Sequence, residues 1–269
     1  MKILLIGDIV GEPGRKIVAK HLRNLIQEAH LDLVIANGEN AAGGFGITPK
    51  ITQEFFDMGV DVVTTGNHVL DKKEITDYLD REKRLIRPAN YPEGVPGYGK
   101  VLVKTDRGDT VAVLQLMGRI FMLPIDCPFQ TVRKELKTLQ DQTRVIIVDM
   151  HAETTSEKMA MGWFLDGEVS AVLGTHTHVQ TADERILPGG TAYITDVGMA
   201  GPMDSVIGIR KEDAIEKFLT QTPKRFELAS GPSVLSAVIV EIETPGGRAL
   251  SIQRIQIREE SGPSEIQTR

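Results

Sequence analysis

The stretch Gly174-Thr175-His176-Thr177-His178 sets two imidazoles two residues apart, directly after the apolar run Val169-Ser170-Ala171-Val172-Leu173. In an extended segment such residues point to one side, which is a metal-ligand arrangement. The run before them reads as a buried strand, so the pair is expected where a strand leaves its sheet. Open α/β sheets bind ligands at that edge. Alone, a His-x-His pair reads most simply as a loop hydrogen bond, but this one has company. Asp8, Glu39 with Asn40, Asn67 with His68, and His151 each follow an apolar run of strand length. Four of the six histidines belong to this set, while His21 and His30 are expected on the surface of the first helix.

Imidazole, carboxylate and amide donors without a thiolate suit iron, manganese, zinc or similar ions. Asp8, Glu39, Asn40, Asn67, His68, His151, His176 and His178 are too many for one ion. Two ions sharing a carboxylate, roughly 3.5 to 4 Å apart, are the economical reading. Such a pair makes hydroxide available near neutral pH and holds two oxygens of a phosphoester. A nearby histidine that is not a ligand can then protonate the departing oxygen.

The elements that would carry these groups alternate. A strand over residues 2–7 ends at Gly7-Asp8, a Gly/Pro loop (Gly11, Pro13, Gly14) follows, and helical spacing runs through about His30. A strand over 31–36 leads to Asn37-Gly38-Glu39-Asn40 and then to the glycine-rich stretch 41–46. That stretch lacks both the Walker A pattern and the dinucleotide fingerprint, and reads as a flexible turn. Thr48-Pro49 opens a helix through Met58; a strand over 60–64 delivers Gly66-Asn67-His68, and a helix over 72–79 follows. A Pro/Gly-rich loop (87–99), a hairpin (100–104 with 110–116), an irregular rim over 117–130 and a helix over 132–139 come next. The strand 145–148 delivers Asp149-Met150-His151, and a helix over 156–165 precedes the His-Thr-His strand. A strand over 192–195, a helix over 211–219, a hairpin (234–243 with 250–258) and a polar, frayed tail over 259–269 complete the chain.

The first three strands imply a parallel sheet with its polar clusters on the carboxyl edge. The two hairpins imply a second, antiparallel portion, so a two-sheet α/β sandwich is expected, as a single domain over 1–269. A hydrophobic content of 41% with 25% charged residues fits a globular chain rather than a disordered one. The net charge of −6, with no dense basic run, gives no support to a duplex nucleic-acid binder and leaves room for a small anionic substrate held by metal. The lone Cys127 cannot form an internal disulfide and fits a reducing, cytoplasmic setting. No run is long and apolar enough for a membrane span, and Asp8 interrupts the N-terminal apolar run too early for a signal peptide. Oligomeric state is left open, a homo-oligomer included.

Asp8, Gly38-Glu39-Asn40, Gly66-Asn67-His68, His151 and Gly174-Thr175-His176-Thr177-His178, in this order, resemble the motifs of the calcineurin-like metallophosphoesterases. The general pattern has Asp-x-His where this chain has Asp8-Ile9-Val10, and Gly-Asp-x-x-Asp where it has Gly38-Glu39-Asn40. Val69 stands where an acid would follow His68. These departures resemble the bacterial YmdB-like subfamily, as do Gly7-Asp8-Ile9-Val10-Gly11 and Thr195-Asp196-Val197-Gly198-Met199. The resemblance implies an α/β/β/α sandwich with two iron or manganese ions. Asp8, Glu39, Asn40 and His178 are then expected on one ion. Glu39, Asn67, His151 and His176 are expected on the other, with Glu39 bridging and His68 as proton donor. It also implies a phosphodiesterase of cyclic nucleotides, notably 2′,3′-cyclic AMP. Asn40 has a second role open to it, as a phosphate contact or loop cap, and His68 could instead bind phosphate or a backbone carbonyl. Asp149, Thr175 and Asp196 are either partners that orient the ligands or plain structural residues. A phosphomonoesterase or nuclease on the same site, and a metal- or nucleotide-binding regulatory protein, are the rival functions.

Overall fold

The computed structural model describes residues 1–259, so of the expected polar tail all but Glu259 lies outside the described residues. The chain opens with β1 (Lys2–Ile6) and the short β2 (Asp8–Ile9), then α1 (Gly11–Ala29), β3 (Leu33–Asn37), α2 (Pro49–Met58) and β4 (Val62–Thr64). The expected Gly/Pro loop is instead the first turn of α1. Pro13 falls where the missing N–H costs no intrahelical bond, and Gly14 lets the helix lie against the Ala200 carbonyl. Thr48 caps α2 by accepting the Ile51 N–H at 3.2 Å. The helix expected over 72–79 is only a 3₁₀ turn (Lys73–Ile75) and a single α turn, α3 (Thr76–Leu79). Adjacent β-branched Ile75 and Thr76 favour helix weakly, and Asp80 turns to accept the Gly97 N–H at 2.8 Å.

The second half comprises β5 (Lys100–Lys104), β6 (Thr110–Met117), α4 (Pro128–Leu139), β7 (Val145–His151), α5 (Thr155–Phe164) and β8 (Ala171–Thr175). It continues through β9 (Arg185–Ile186), β10 (Ala192–Ile194), β11 (Met199–Pro202), α6 (Lys211–Thr220), β12 (Ser233–Ile242) and β13 (Ala249–Arg258). The helix after the irregular rim thus starts four residues earlier than expected, with Pro128 opening α4 at its first position.

Two sheets result, in the orders β2-β11-β12-β1-β3-β4, with β13 on β12, and β5-β6-β7-β8-β10-β9. The expected division into one parallel and one antiparallel portion does not hold. The two hairpins go to different sheets, and each adds antiparallel pairing to a set of parallel strands. Alternation along β1 shows how the layers form. Ile3 and Leu5 face the other sheet, packing with Val113, Ile147 and Leu173. Leu4 and Ile6 face outward onto Ile17, Leu22 and Phe55 of α1 and α2. On the far side, Leu114, Ile146 and Val148 pack on Val132 and Leu136 of α4 and Met161 of α5. The architecture is therefore an α/β/β/α sandwich. The carboxyl ends of β3 and β4 in one sheet, and of β7 and β8 in the other, converge on one edge. Among the described residues, no helix is long and apolar enough to cross a membrane.

Candidate active site

Five segments bring the predicted residues together. Asp8 sits on β2, Glu39 and Asn40 follow β3, Asn67 and His68 follow β4, His151 ends β7, and His176 and His178 follow β8. The centre is His151 Nε2, which faces Glu39 Oε1 at 2.9 Å, Asn67 Oδ1 at 3.1 Å and His176 Nδ1 at 3.1 Å. Three acceptors around one N–H are more than a hydrogen bond requires, and Glu39 and His151 are buried. One ligand atom each from Glu39, His151 and His176 lies within 4.8 Å of the others, a grouping that fits a metal ion.

A second set adjoins the first. Asp8 is fully buried; its Oδ2 accepts the His176 N–H at 3.0 Å, while Oδ1 has no hydrogen-bond partner. His178 Nε2 lies 4.0 Å from that orphaned oxygen and 3.3 Å from Asn40 Oδ1. Asn40 Nδ2 donates to the Gly44 carbonyl at 3.0 Å, which turns the amide oxygen toward His178. An unpaired buried carboxylate oxygen is costly in a finished protein core. It is what a cation site leaves behind, so this donor set also fits an ion.

The His-Thr-His pair converges by a route other than strand alternation. β8 stops at Thr175, and His176 and His178 have φ of 98° and 65°. Left-handed backbone at two non-glycine residues costs of order 1–3 kcal/mol each and clusters at functional sites. Asp196 holds the turn, accepting from the Thr177 N–H and hydroxyl at 3.1 and 2.7 Å and from the buried Lys158 ammonium at 2.6 Å.

Hydrogen bonds behind the imidazoles fix which nitrogen faces the site. His151 Nδ1 donates to the Thr175 hydroxyl at 2.9 Å, and that hydroxyl donates to Asp149 Oδ1 at 2.7 Å. His178 Nδ1 donates to the Ile207 carbonyl at 2.8 Å, and His176 Nε2 to Glu153 at 3.0 Å. Such partners orient metal ligands and raise their basicity. His68 stands at the rim of the cluster; its N–H donates to Glu39 Oε2 at 3.1 Å and its Nδ1 pairs with Asp71 at 2.8 Å. Of these partners, Asp71, Glu153 and the Ile207 carbonyl are absent from the sequence-based set. Asp71 lies three residues after His68, one turn on. Glu153 lies two after His151, in the bend that follows β7. Nothing in the sequence marks a backbone carbonyl from a loop 29 residues away from His178.

Electrostatics follows from burying so many groups. Burial alone would lower the His151 pKa, but the Glu39 charge and hydrogen bond outweigh it and hold it up at about 9. Burial likewise works against the Glu39 carboxylate, yet His151 and the His68 N–H bring it down to about 2. Desolvation pushes Asp149 up to about 6 and, together with the His151 charge, His176 down to about 3.

The fold is that of the calcineurin-like phosphoesterases: the structure of YfkN from Bacillus subtilis, so described, matches with a TM-score of 0.55 at 10% identity, over 95% of this chain and 90% of that one. A family model described as YmdB-like protein matches residues 4–255. A protein of Bacillus subtilis strain 168 named 2′,3′-cyclic-nucleotide 2′-phosphodiesterase is 48% identical over 260 residues, covering 97% of this chain and 98% of the relative. The crystal structure of a protein from Mycoplasma pneumoniae described as a novel phosphatase matches with a TM-score of 0.91 at 34% identity, over 97% of this chain and 94% of that one. The chain belongs to the YmdB-like family.

Proposed function

We propose that this protein is a metal-dependent phosphodiesterase of small phosphodiesters, with 2′,3′-cyclic nucleotides such as 2′,3′-cyclic AMP as substrates. The observation that carries the reading is the convergence of Glu39, Asn67 and His176 on His151 Nε2, beside the orphaned Asp8 oxygen. The activity named for the Bacillus subtilis relative supports the substrate class. Asp8, Glu39, Asn40 and His178 would hold one ion, and Glu39, Asn67, His151 and His176 a second, with Glu39 shared. When bound, such ions supply a deprotonated water near neutral pH and offset charge on the phosphoryl oxygens. Iron and manganese suit these donors.

The chain's own part is to position and to move one proton. His68 protonates the departing sugar oxygen from Nε2, because Asp71 engages Nδ1 and leaves Nε2 facing the site. Thr175, Glu153 and the Ile207 carbonyl keep the other imidazoles turned toward the site. The single half-buried Cys127 supports a reducing, cytoplasmic setting.

Hydrolysis of 2′,3′-cyclic AMP, 3′,5′-cyclic AMP and an aryl phosphodiester by protein of measured metal content tests the reading. Preferential opening of the 2′,3′ ring is expected. Protein that carries two metals and leaves all three untouched would remove this substrate class, and a monoesterase, nuclease or regulatory role would move ahead.

A further inference from the structure

The metal-ligand cluster forms one wall of a cavity of about 310 Å³, where Glu39, Asn40, His68 and His178 present polar atoms. The rest of the lining is mostly apolar, with Val10, Phe45, Ile207, Ile209, Phe226 and Leu228 and, between the last two, Glu227. Its size lies at the lower end of the ~300–1,000 Å³ typical of small-molecule sites. Most of the apolar wall is packed. Leu228 lies over Gly44, where an added Cβ would meet its Cδ2 at 2.9 Å, and Val10 is 2% exposed. Phe45 and Ile207 differ, at 39% and 45% exposed.

Both are held in place although each is partly exposed. The Phe45 ring meets His68 edge-on, with centroids 5.0 Å apart and planes at 67°. Ile207 has φ of 51°, a conformation that a β-branched residue rarely adopts, and its carbonyl accepts from His178. A strained, partly exposed apolar residue in the lining of a pocket points to a role in binding rather than in folding. A cavity lined at one part by the candidate metal ligands and elsewhere by apolar side chains fits an amphipathic ligand that carries a flat ring.

Resting on the phosphodiesterase reading above, we propose that Phe45 and Ile207 seat the nucleobase of the substrate and are its specificity-determining residues. Stacking on an aromatic side chain accepts any base, because every base has a π face, so the seat selects for a base over none more than it selects among bases. Loss of one stacking partner is expected to weaken base-dependent selectivity about 10- to 100-fold.

The test compares kcat/KM for 2′,3′-cyclic AMP with that for 1-O-methylribose 2,3-cyclic phosphate, which keeps the reacting ring and lacks a base. Full-length, metal-loaded wild type, Phe45→Ala and Ile207→Asn are assayed; asparagine tolerates the left-handed backbone and so keeps the carbonyl toward His178. Wild type is expected to prefer the nucleotide, and each variant to lower that preference about tenfold or more, mainly through KM. A ratio unchanged in both variants, with the two substrates slowing together, would overturn the seat: Phe45 would then act only through His68, and Ile207 only through His178. Wild type that cleaves both substrates equally would overturn the seat alone. Wild type that cleaves neither would overturn the phosphodiesterase reading and the seat with it.

Discussion

Gly66→Ala is the smallest change that should dismantle the centre without touching a ligand. Gly66 does not have the positive φ that disfavours side chains, so alanine can adopt its backbone. A Cβ at this position, however, would lie closer than 3.0 Å to both Glu39 Oε2 and His151 Nε2, where ordinary contact begins at 3.4 Å. Neither neighbour can retreat freely: His151 is backed by Thr175 and Asp149, and Glu39 Oε2 is held by the His68 N–H. Overpacking of this kind costs about 1–3 kcal/mol, or ~5- to 150-fold in affinity for a cation that needs both groups. Displacement of reacting groups by up to an ångström costs on the order of 10²-fold in rate. The variant should therefore fold, with unaltered far-UV circular dichroism, yet bind metal ~10- to 100-fold more weakly and lose about 10²-fold in kcat/KM. Metal titration followed by mass-spectrometric metal analysis measures the first, and 2′,3′-cyclic AMP hydrolysis the second. A folded Gly66→Ala protein with wild-type metal content and activity within twofold would refute the placement of Glu39 and His151 at the centre.

Three further outcomes follow from the same structure. Thr175→Val removes the hydroxyl between His151 and Asp149 while keeping its shape, and should weaken metal binding by about 10- to 100-fold with little change in fold; unchanged affinity would show that the relay does not orient His151. Lys158→Met strands the buried Asp196 carboxylate, which should cost roughly 3–5 kcal/mol in denaturant titrations; a loss under 1 kcal/mol would contradict a desolvated pair. Burial holds the Tyr193 phenol at about 12, above its unfolded value of about 10, so its contribution to stability is full below pH ~10 and is lost as pH rises through about 12. Urea unfolding from pH 9 to 12 should show a shallower decline for Tyr193→Phe than for wild type, and parallel curves would contradict that assignment.

The residues of the centre were legible because strand ends are marked in sequence: apolar runs halt at Asp8, Glu39, Asn67, His151 and His176, and parallel pairing carries those halts to one edge. Sequence alone did not show how the last pair converges. His176 and His178 turn in through positive φ, a conformation imposed by tertiary bonds from Asp8, Asp196 and the Ile207 carbonyl. Sheet assignment of the hairpins was likewise not legible, because a hairpin's local pattern fixes its own turn and pairing, while long-range packing selects the further strand it joins, β7 for one and β1 for the other. The short strands β9 and β11 escape the periodicity for a related reason: two and four residues are too few to show a period. The cavity beside the candidate metal ligands draws Phe45 and Ile207 from loops 162 residues apart in number, so no window of sequence contains both.

The central claim is that a metal centre and a separate acid, His68, share one reaction. It is tested most directly by His68→Ala, with metal content and 2′,3′-cyclic AMP hydrolysis measured on the same preparation. The account predicts wild-type metal content and a kcat lower by about 10² to 10⁴-fold. Loss of metal with no other defect would make His68 a ligand rather than the acid, and full metal content with undiminished turnover would contradict the mechanism outright.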